Sequence, residues 1–259
     1  IFAAADSLCY YAKNAQKFLR TRKERVHGLM GIAKQLRIVY RPLGVIGIIT
    51  PWNGPFVLGM NPSVQALMAG NTVVLKGSEV TPYSTKLVEE IFREAGLPPD
   101  VLQVLMGDGQ SGAYLTEAGV DKISFTGSVR TGRKVGEACG RALIPCTLEL
   151  GGKDPMIVCA DADLGRASSG AVFGAFMNNG QFCCSTERVY VASEVADAFT
   201  HMVVEKVKKL RPGTSGDFDV GPMIWPAQLD IVERHIADAR AKGATVLTGG
   251  QRNAALGGL

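Results

Sequence analysis

No apolar run in the 259 residues approaches the roughly 20 that cross a bilayer as a helix, so no membrane partner is expected. The N-terminal stretch shows no basic segment followed by an apolar core, so no secretory signal is read there. Six cysteines do not make a disulfide framework in a chain of this size, and the adjacent Cys183 and Cys184 suit a bridge poorly. A reducing, cytoplasmic setting is the expectation. Histidine is scarce: only His27, His201 and His235 occur, none beside a cysteine, so a Cys–His hydrolase arrangement has no visible support. There is no internal repeat or low-complexity linker, and no metal site is expected. A net charge of +4 is too weak to imply a nucleic-acid partner. Residues 13–41 do hold nine Lys or Arg against the single acid Glu24. They carry no interleaved aromatics, and read as a solvated helix face and loop.

What is present is an ordinary globular composition, 46% hydrophobic and 20% charged. A chain of this length buries a core without disulfide or metal staples. Short β-branched runs alternate with helical patterns. Val45–Thr50, Thr72–Lys76, Val101–Leu105, Ile123–Phe125, Thr147–Leu150, Met156–Cys159, Arg188–Ala192 and Ala244–Leu247 read as strands. Between them, Pro62–Ala69 reads as a helix closed by Gly70. Another is capped by the Thr81 hydroxyl, with Leu87, Val88, Ile91 and Ala95 as its apolar stripe. Further helices are read over Asp163–Met177, from a Ser193 cap to Leu210, and along the stripe Leu229, Val232, Ile236, Ala239. This alternation predicts an α/β fold: a doubly wound, parallel-sheet dinucleotide-binding domain over 1–150, then part of a second α/β catalytic domain over 151–259. The seam falls at Gly151-Gly152, and the Gly- and Ala-rich end without a closing element gives the expectation of a longer parent chain.

Several segments could carry chemistry. Gly107-Asp-Gly109-Gln-Ser-Gly112 matches the dinucleotide fingerprint, yet the next strand ends without the acid that pattern wants about 20 residues on. An ordinary turn explains it equally well. Phe125-Thr-Gly127-Ser128-Val-Arg-Thr-Gly132 runs from a strand through small residues into a helix. It could hold a pyrophosphate on bare N–H groups and the Ser128 hydroxyl, or be a plain N-cap. Lys76 and Glu79 follow a strand. The lysine could donate to ribose hydroxyls and the glutamate accept from them while repelling a 2′-phosphate; a surface ion pair is the plainer reading. Cys183 lies in a glycine-prefaced loop, exposed enough to react, where a lowered thiol pKa is expected. Glu149 ends an apolar strand, where half-burial would raise its pKa toward a base; an ion pair with Lys153 is the alternative. Asn53, after another strand, could donate to an oxyanion, or cap its own loop.

From about Ala12 onward the sequence resembles the aldehyde dehydrogenase superfamily. The resemblance rests on Arg41-Pro-Leu-Gly-Val-Ile-Gly-Ile-Ile-Thr-Pro-Trp-Asn53, on Leu148-Glu-Leu-Gly-Gly-Lys153, and on Phe176-x-x-x-Gly180-Gln181-x-Cys183. It implies Cys183 as nucleophile, Glu149 as general base and Asn53 as oxyanion donor. It implies NAD rather than NADP as cofactor, held by Ile49, Trp52, Lys76, Glu79, Gly107, Phe125, Gly127, Ser128, Gly132 and Leu150. The family often has proline or alanine where Gly77 stands. It implies a small-molecule aldehyde substrate, oxidised to the acid through a cysteine thiohemiacetal and thioester, and a homo-oligomer, dimer or tetramer. Residues 34–43 are similar to an edge hairpin used in oligomer contacts. Apolar residues near Phe56, Met60 and Met177 point to a neutral or hydrophobic aldehyde. Family members are much longer, which keeps two alternatives open: a non-catalytic NAD-binding fragment or pseudoenzyme, and a cofactor-free thiol hydrolase or acyltransferase.

Overall fold

The computed structural model describes residues 2–252. The chain divides into two compact units, Ile1–Leu150 and Gly151–Leu259.

The first unit begins with helix α1 (Phe2–Leu19), strand β1 (Arg22–Glu24), a short helix α2 (Met30–Ala33) and strand β2 (Leu36–Ile38). β1 and β2 pair antiparallel, so only Leu36–Ile38 of the basic segment 34–43 is strand. Then follow β3 (Val45–Ile49), α3 (Pro55–Met68), β4 (Thr72–Lys76), α4 (Pro82–Glu94), β5 (Leu102–Val104), α5 (Gly109–Glu117), β6 (Lys122–Thr126), α6 (Val129–Ala142) and β7 (Cys146–Glu149). The last five strands form one parallel sheet in the order β5-β4-β3-β6-β7. The doubly wound sheet read from the alternation is therefore present. The chain winds outward from β3 to β5, returns beside β3 as β6, and winds outward again to β7. That reversal opens a crevice at the carboxyl ends of β3 and β6, where such sheets place ligands.

Both faces of the sheet are buried, which explains the unbroken apolar runs of β3 and β4. Ile46 and Ile48 point one way, into a core with Ala4, Met60, Val64, Val73, Leu75 and Val88. Ile49 points the other way, against Leu115, Ile123, Phe125, Val135 and Cys139.

Several local expectations are corrected. α3 starts at Pro55, with Pro62 inside it. Burial of Gly59, Met60, Ser63 and Val64 outweighs the missing proline N–H, and the Ser63 hydroxyl donates to Gly59 O at 2.7 Å. Met60 is thus core, 1% exposed, rather than pocket lining. Thr81 precedes α4 but its hydroxyl makes no cap; the Ser78 hydroxyl instead accepts from Val80 N. The buried stripe of α4 runs through Thr85 and Val88, leaving Leu87 and Ile91 exposed.

In the second unit β8 (Asp154–Val158) and β9 (Thr186–Val191) pair in parallel, joined by a crossover that contains helix α7 (Leu164–Phe176). Pro155 sits at a register shift, where its missing N–H is tolerated. Val158, Ala171 and Phe199 form the core with helix α8 (Ala196–Lys208). Ser193 opens a 3₁₀ turn before α8 instead of capping it, its hydroxyl donating to Glu194. Helix α9 (Pro226–Ala241) follows, its stripe half-buried as the spacing predicts. The strand expected over Ala244–Leu247 is not formed; the segment after α9 is irregular and pairs with no strand among the described residues.

Candidate active site

A cavity of about 630 Å³ occupies the crevice of the first unit. β3 contributes Ile49, with Thr50, Pro51 and Trp52 beyond its end. β4 contributes Lys76, with Ser78 and Glu79 beyond it, and β6 contributes Phe125 and Thr126, followed by Gly127 and Ser128. Gly109, Gln110 and Gly112 of α5 and Thr131, Lys134, Val135, Ala138 and Arg141 of α6 make the opposing walls.

Lys76 is 4% exposed, yet its Nζ lies 3.4 Å from Glu79 Oε2, whose side chain is 56% exposed. An ammonium has three protons to donate, and one carboxylate at that distance leaves donors for a guest. Nearby, Thr50 Oγ1 is buried without a hydrogen-bond partner. Ser128 is the N-cap of α6: its hydroxyl accepts from Thr131 N at 3.2 Å and donates to Thr131 Oγ1 at 3.0 Å. The plain-cap reading therefore holds, and it leaves the hydroxyl pair at the positive end of a 14-residue helix that lines the cavity.

Seven of the ten residues assigned to the cofactor thus line one cavity. Gly107, Gly132 and Leu150 do not. Gly107 turns the chain at φ 137° before α5, whose N-cap Asp108 accepts from Gln110 N. A carboxylate already occupying that helix start is the wrong charge for a phosphate, so Gly109 and Gly112 contribute wall rather than a fingerprint loop. Gly132 is buried where a Cβ would stand 2.5 Å from Leu150 Cδ2, which lets α6 lie close on β7. Gly77 leaves space that the Thr85 side chain fills: a Cβ there would overlap the Thr85 hydroxyl.

Asn53 is half-buried in the loop from β3 to α3. Glu149 is exposed at the end of β7, contrary to the half-burial expected of it, because β7 is the outermost strand of the sheet. Its backbone carbonyl accepts from Gly127 N at 3.0 Å. Lys153 pairs with Glu187 at 2.9 Å rather than with Glu149.

In the second unit, Asn178, Asn179 and Gly180 all take left-handed φ, at 53°, 59° and 70°. Such a run is costly for non-glycine residues, and Asn tolerates it best. The turn is held from outside. Asn179 Nδ2 donates to Gly221 O at 2.8 Å, Ile224 N donates to Gln181 Oε1 at 3.2 Å, and Gln181 Nε2 donates back to Asn178 O at 3.0 Å. Cys183 follows on this loop, exposed. A Cβ on Gly152 would lie 3.2 Å from Cys183 O, so the glycine lets that backbone approach. The thiol is not held low as expected. Partial burial pushes its pKa up, and the neighbouring Cys184 thiol and Asp154 carboxylate push the same way; these neighbours are not the cations that stabilise a thiolate.

The sequence profile of the aldehyde dehydrogenase family matches residues 1–258. The chain belongs to the aldehyde dehydrogenase family. It is 45% identical over 244 residues to a 4,4'-diapolycopene aldehyde oxidase of a Methylomonas species, an alignment covering 94% of this chain and 46% of the relative. It is 44% identical to a Mycolicibacterium smegmatis protein named for succinate-semialdehyde dehydrogenase [NADP(+)], covering 93% and 47%. Among solved structures it is similar to a Mycobacterium tuberculosis aldehyde dehydrogenase complexed with NAD+, with a TM-score of 0.92 and 36% identity over 98% of this chain and 52% of that one. The chain spans about half the length of the relatives it matches.

Sequence reasoning missed Thr50, Ser78 and Thr131 as cavity residues. Thr131 had a signal, three positions after a serine at a helix start. Ser78 and Thr50 had none, because burial of a hydroxyl at a strand end depends on neighbours far along the chain.

Proposed function

We propose that this chain is part of an enzyme that oxidises an aldehyde to a carboxylic acid, with NAD as hydride acceptor and Cys183 as nucleophile. The observation that carries the reading is the exposed Cys183 thiol on a clamped left-handed turn, inside the family's cysteine signature. The first unit is read as the cofactor-binding domain and the second as part of the catalytic domain.

The cavity residues fit a dinucleotide. Buried Lys76 and open Glu79 would hold ribose hydroxyls, orphaned Thr50 Oγ1 would gain a partner, and Ser128 and Thr131 at the start of α6 would face the pyrophosphate. Glu79 would also repel a 2′-phosphate, which favours NAD, although one relative is named for NADP(+). Bound NAD supplies the hydride acceptor. The chain's residues do the rest. The Cys183 thiol, its pKa pushed up by burial, gives its proton to solvent water as sulfur bonds to the carbonyl carbon. The Asn53 amide and the Cys183 N–H receive the oxyanion, each such donor contributing about 3–4 kcal/mol in other enzymes. Loss of hydride leaves a thioester. Glu149 takes a proton from water and the resulting hydroxide attacks the acyl carbon; the C–S bond breaks, the departing sulfur takes the proton back from Glu149, and the carboxylic acid leaves.

A second cavity of about 340 Å³, in the second unit, is lined by Val172, Phe173, Phe176, Met177, Leu210 and Val220, with Asn178, Asn179 and Asp219 and no lysine or arginine. This favours an apolar aldehyde over one bearing a carboxylate.

The test is NADH formation by the full natural chain from propanal, a long-chain alkanal and succinate semialdehyde, with NAD and with NADP. Oxidation of the alkanals with NAD is expected. Cys183→Ser is expected to abolish it, and Glu149→Gln to let an acyl-enzyme accumulate. Retained turnover in the serine variant removes Cys183 from the role. NAD binding without oxidation of any aldehyde leaves the non-catalytic reading. Ester hydrolysis indifferent to NAD points to the hydrolase.

A further inference from the structure

Two cysteines outside the proposed chemistry meet in the first unit. α6 rides antiparallel over β7, and glycines set its register. A Cβ on Gly132 would lie 2.5 Å from Leu150 Cδ2, and one on Gly136 would lie 3.4 Å from Leu148 Cδ1. Four residues of helix advance about 6 Å, and two residues of strand about 6.6 Å, so the two elements stay in step. The next step along the same faces brings the turn at Cys139 over Cys146. Packing agrees with this. Cys139 is fully buried against Ile123 and Ile144, and Cys146 is the register partner of Ile123 on β6. The Cys146 thiol is near enough to add to the rise in the Cys139 pKa that burial causes. One is sealed in the core and the other is exposed to solvent, and both are free.

We propose that Cys139 and Cys146 are a redox-modification site, closing to a reversible disulfide under a peroxide oxidant. The exposed Cys146 sulfur attacks a peroxide oxygen; the O–O bond breaks, and a sulfenic acid and one water form. The Cys139 sulfur then attacks the Cys146 sulfur, the S–O bond breaks, and a second water leaves with the remaining thiol proton. Two electrons pass from the sulfur pair to the peroxide, and a thiol reductant reverses the step. The bond pins the last turn of α6, which carries Ala138 and Arg141 of the cavity wall, to the outermost strand.

The sequence provides a direct assay. Trypsin cuts after Lys134, Arg141 and Lys153, so Cys139 and Cys146 fall on separate peptides, Val135–Arg141 and Ala142–Lys153. The full natural chain is treated with hydrogen peroxide, blocked with N-ethylmaleimide, digested and weighed. The two peptides are expected joined, two hydrogens lighter than their sum, and separate after dithiothreitol. Cys146→Ser, at an exposed position, is expected to abolish the link while the protein stays folded. Amide exchange over Ala138–Ala142 is expected to slow by about tenfold in the oxidised form. Recovery of Cys146 as sulfinic or sulfonic acid with Cys139 reduced overturns the proposal. So does a bond from Cys146 to any other cysteine, or α6 exchange that oxidation leaves unchanged.

Discussion

Lys76 Nζ and Glu79 Oε2 stand 3.4 Å apart, with the lysine side chain 5% exposed and the glutamate 56% exposed. The pair is thus asymmetric: a cation seated by the fold and an anion presented to whatever enters.

That asymmetry separates affinity from selectivity. Lys76→Met keeps the apolar stem and removes the donors, and is expected to weaken NAD binding about tenfold or more. Glu79→Gln is expected to lower the preference for NAD over NADP by about tenfold while NAD binding itself changes less. Calorimetric titration of both cofactors reads the two effects, and an unchanged ratio in the glutamine variant removes Glu79 as the discriminating group.

Thr85 fills the space a side chain at position 77 would need. Gly77→Ala is therefore expected to cost about 1–3 kcal/mol by overpacking. In a Thr85→Ala background the same change is expected to cost about 1 kcal/mol less, a coupling read by a double-mutant cycle in denaturant. Additive costs would show that the two positions do not compete.

The cysteines should titrate apart. Burial, with the Cys146 thiol beside it, pushes Cys139 from the ordinary 9.0 up to about 11. The folded chain therefore holds that proton longer than the unfolded chain does. The associated stability is present below about pH 9 and is lost as pH rises through about 11. Alkylation of Cys183 is expected to keep climbing above the pH at which an ordinary thiol levels off, since its pKa is raised. Iodoacetamide labelling against pH, read by peptide mass, checks both; a Cys183 rate that is flat from neutral pH upward contradicts the raised thiol.

The left-handed turn at Asn178 and Asn179 makes opposite predictions for two substitutions. Asn178→Gly is expected to be neutral or slightly stabilising, because glycine takes that φ freely. Asn178→Val is expected to cost about 1–2 kcal/mol and to alter Cys183 labelling, since the loop that carries the thiol must shift. Equal melting temperatures for the two would show that the turn is not strained.

Legibility followed locality. β3 and β4 are short β-branched runs bounded by proline or glycine, and both emerge within one residue of their expected limits. The first half of α3 was hidden because Pro62 imitates a helix start, and only packing of Met60 and Val64 against the sheet shows otherwise. Lys76, Glu79 and Ser128 were readable as strand-end residues that meet in one crevice. The exposure of Glu149 was not, because it depends on β7 being the last strand of the sheet, a matter of topology that the apolar pattern Leu148 to Leu150 does not record. Nor was the upward shift of the Cys183 thiol, which comes first from burial, then from Cys184, with Asp154 adding least.

The central place of β3 also shapes how the chain is made. On the ribosome its β4 side is covered soon after it emerges, but its other edge stays open until β6 has been synthesised, after α4, β5 and α5. During that interval an apolar, hydrogen-bond-hungry border is exposed to other nascent chains, so chaperone dependence should fall on translation between β5 and β6.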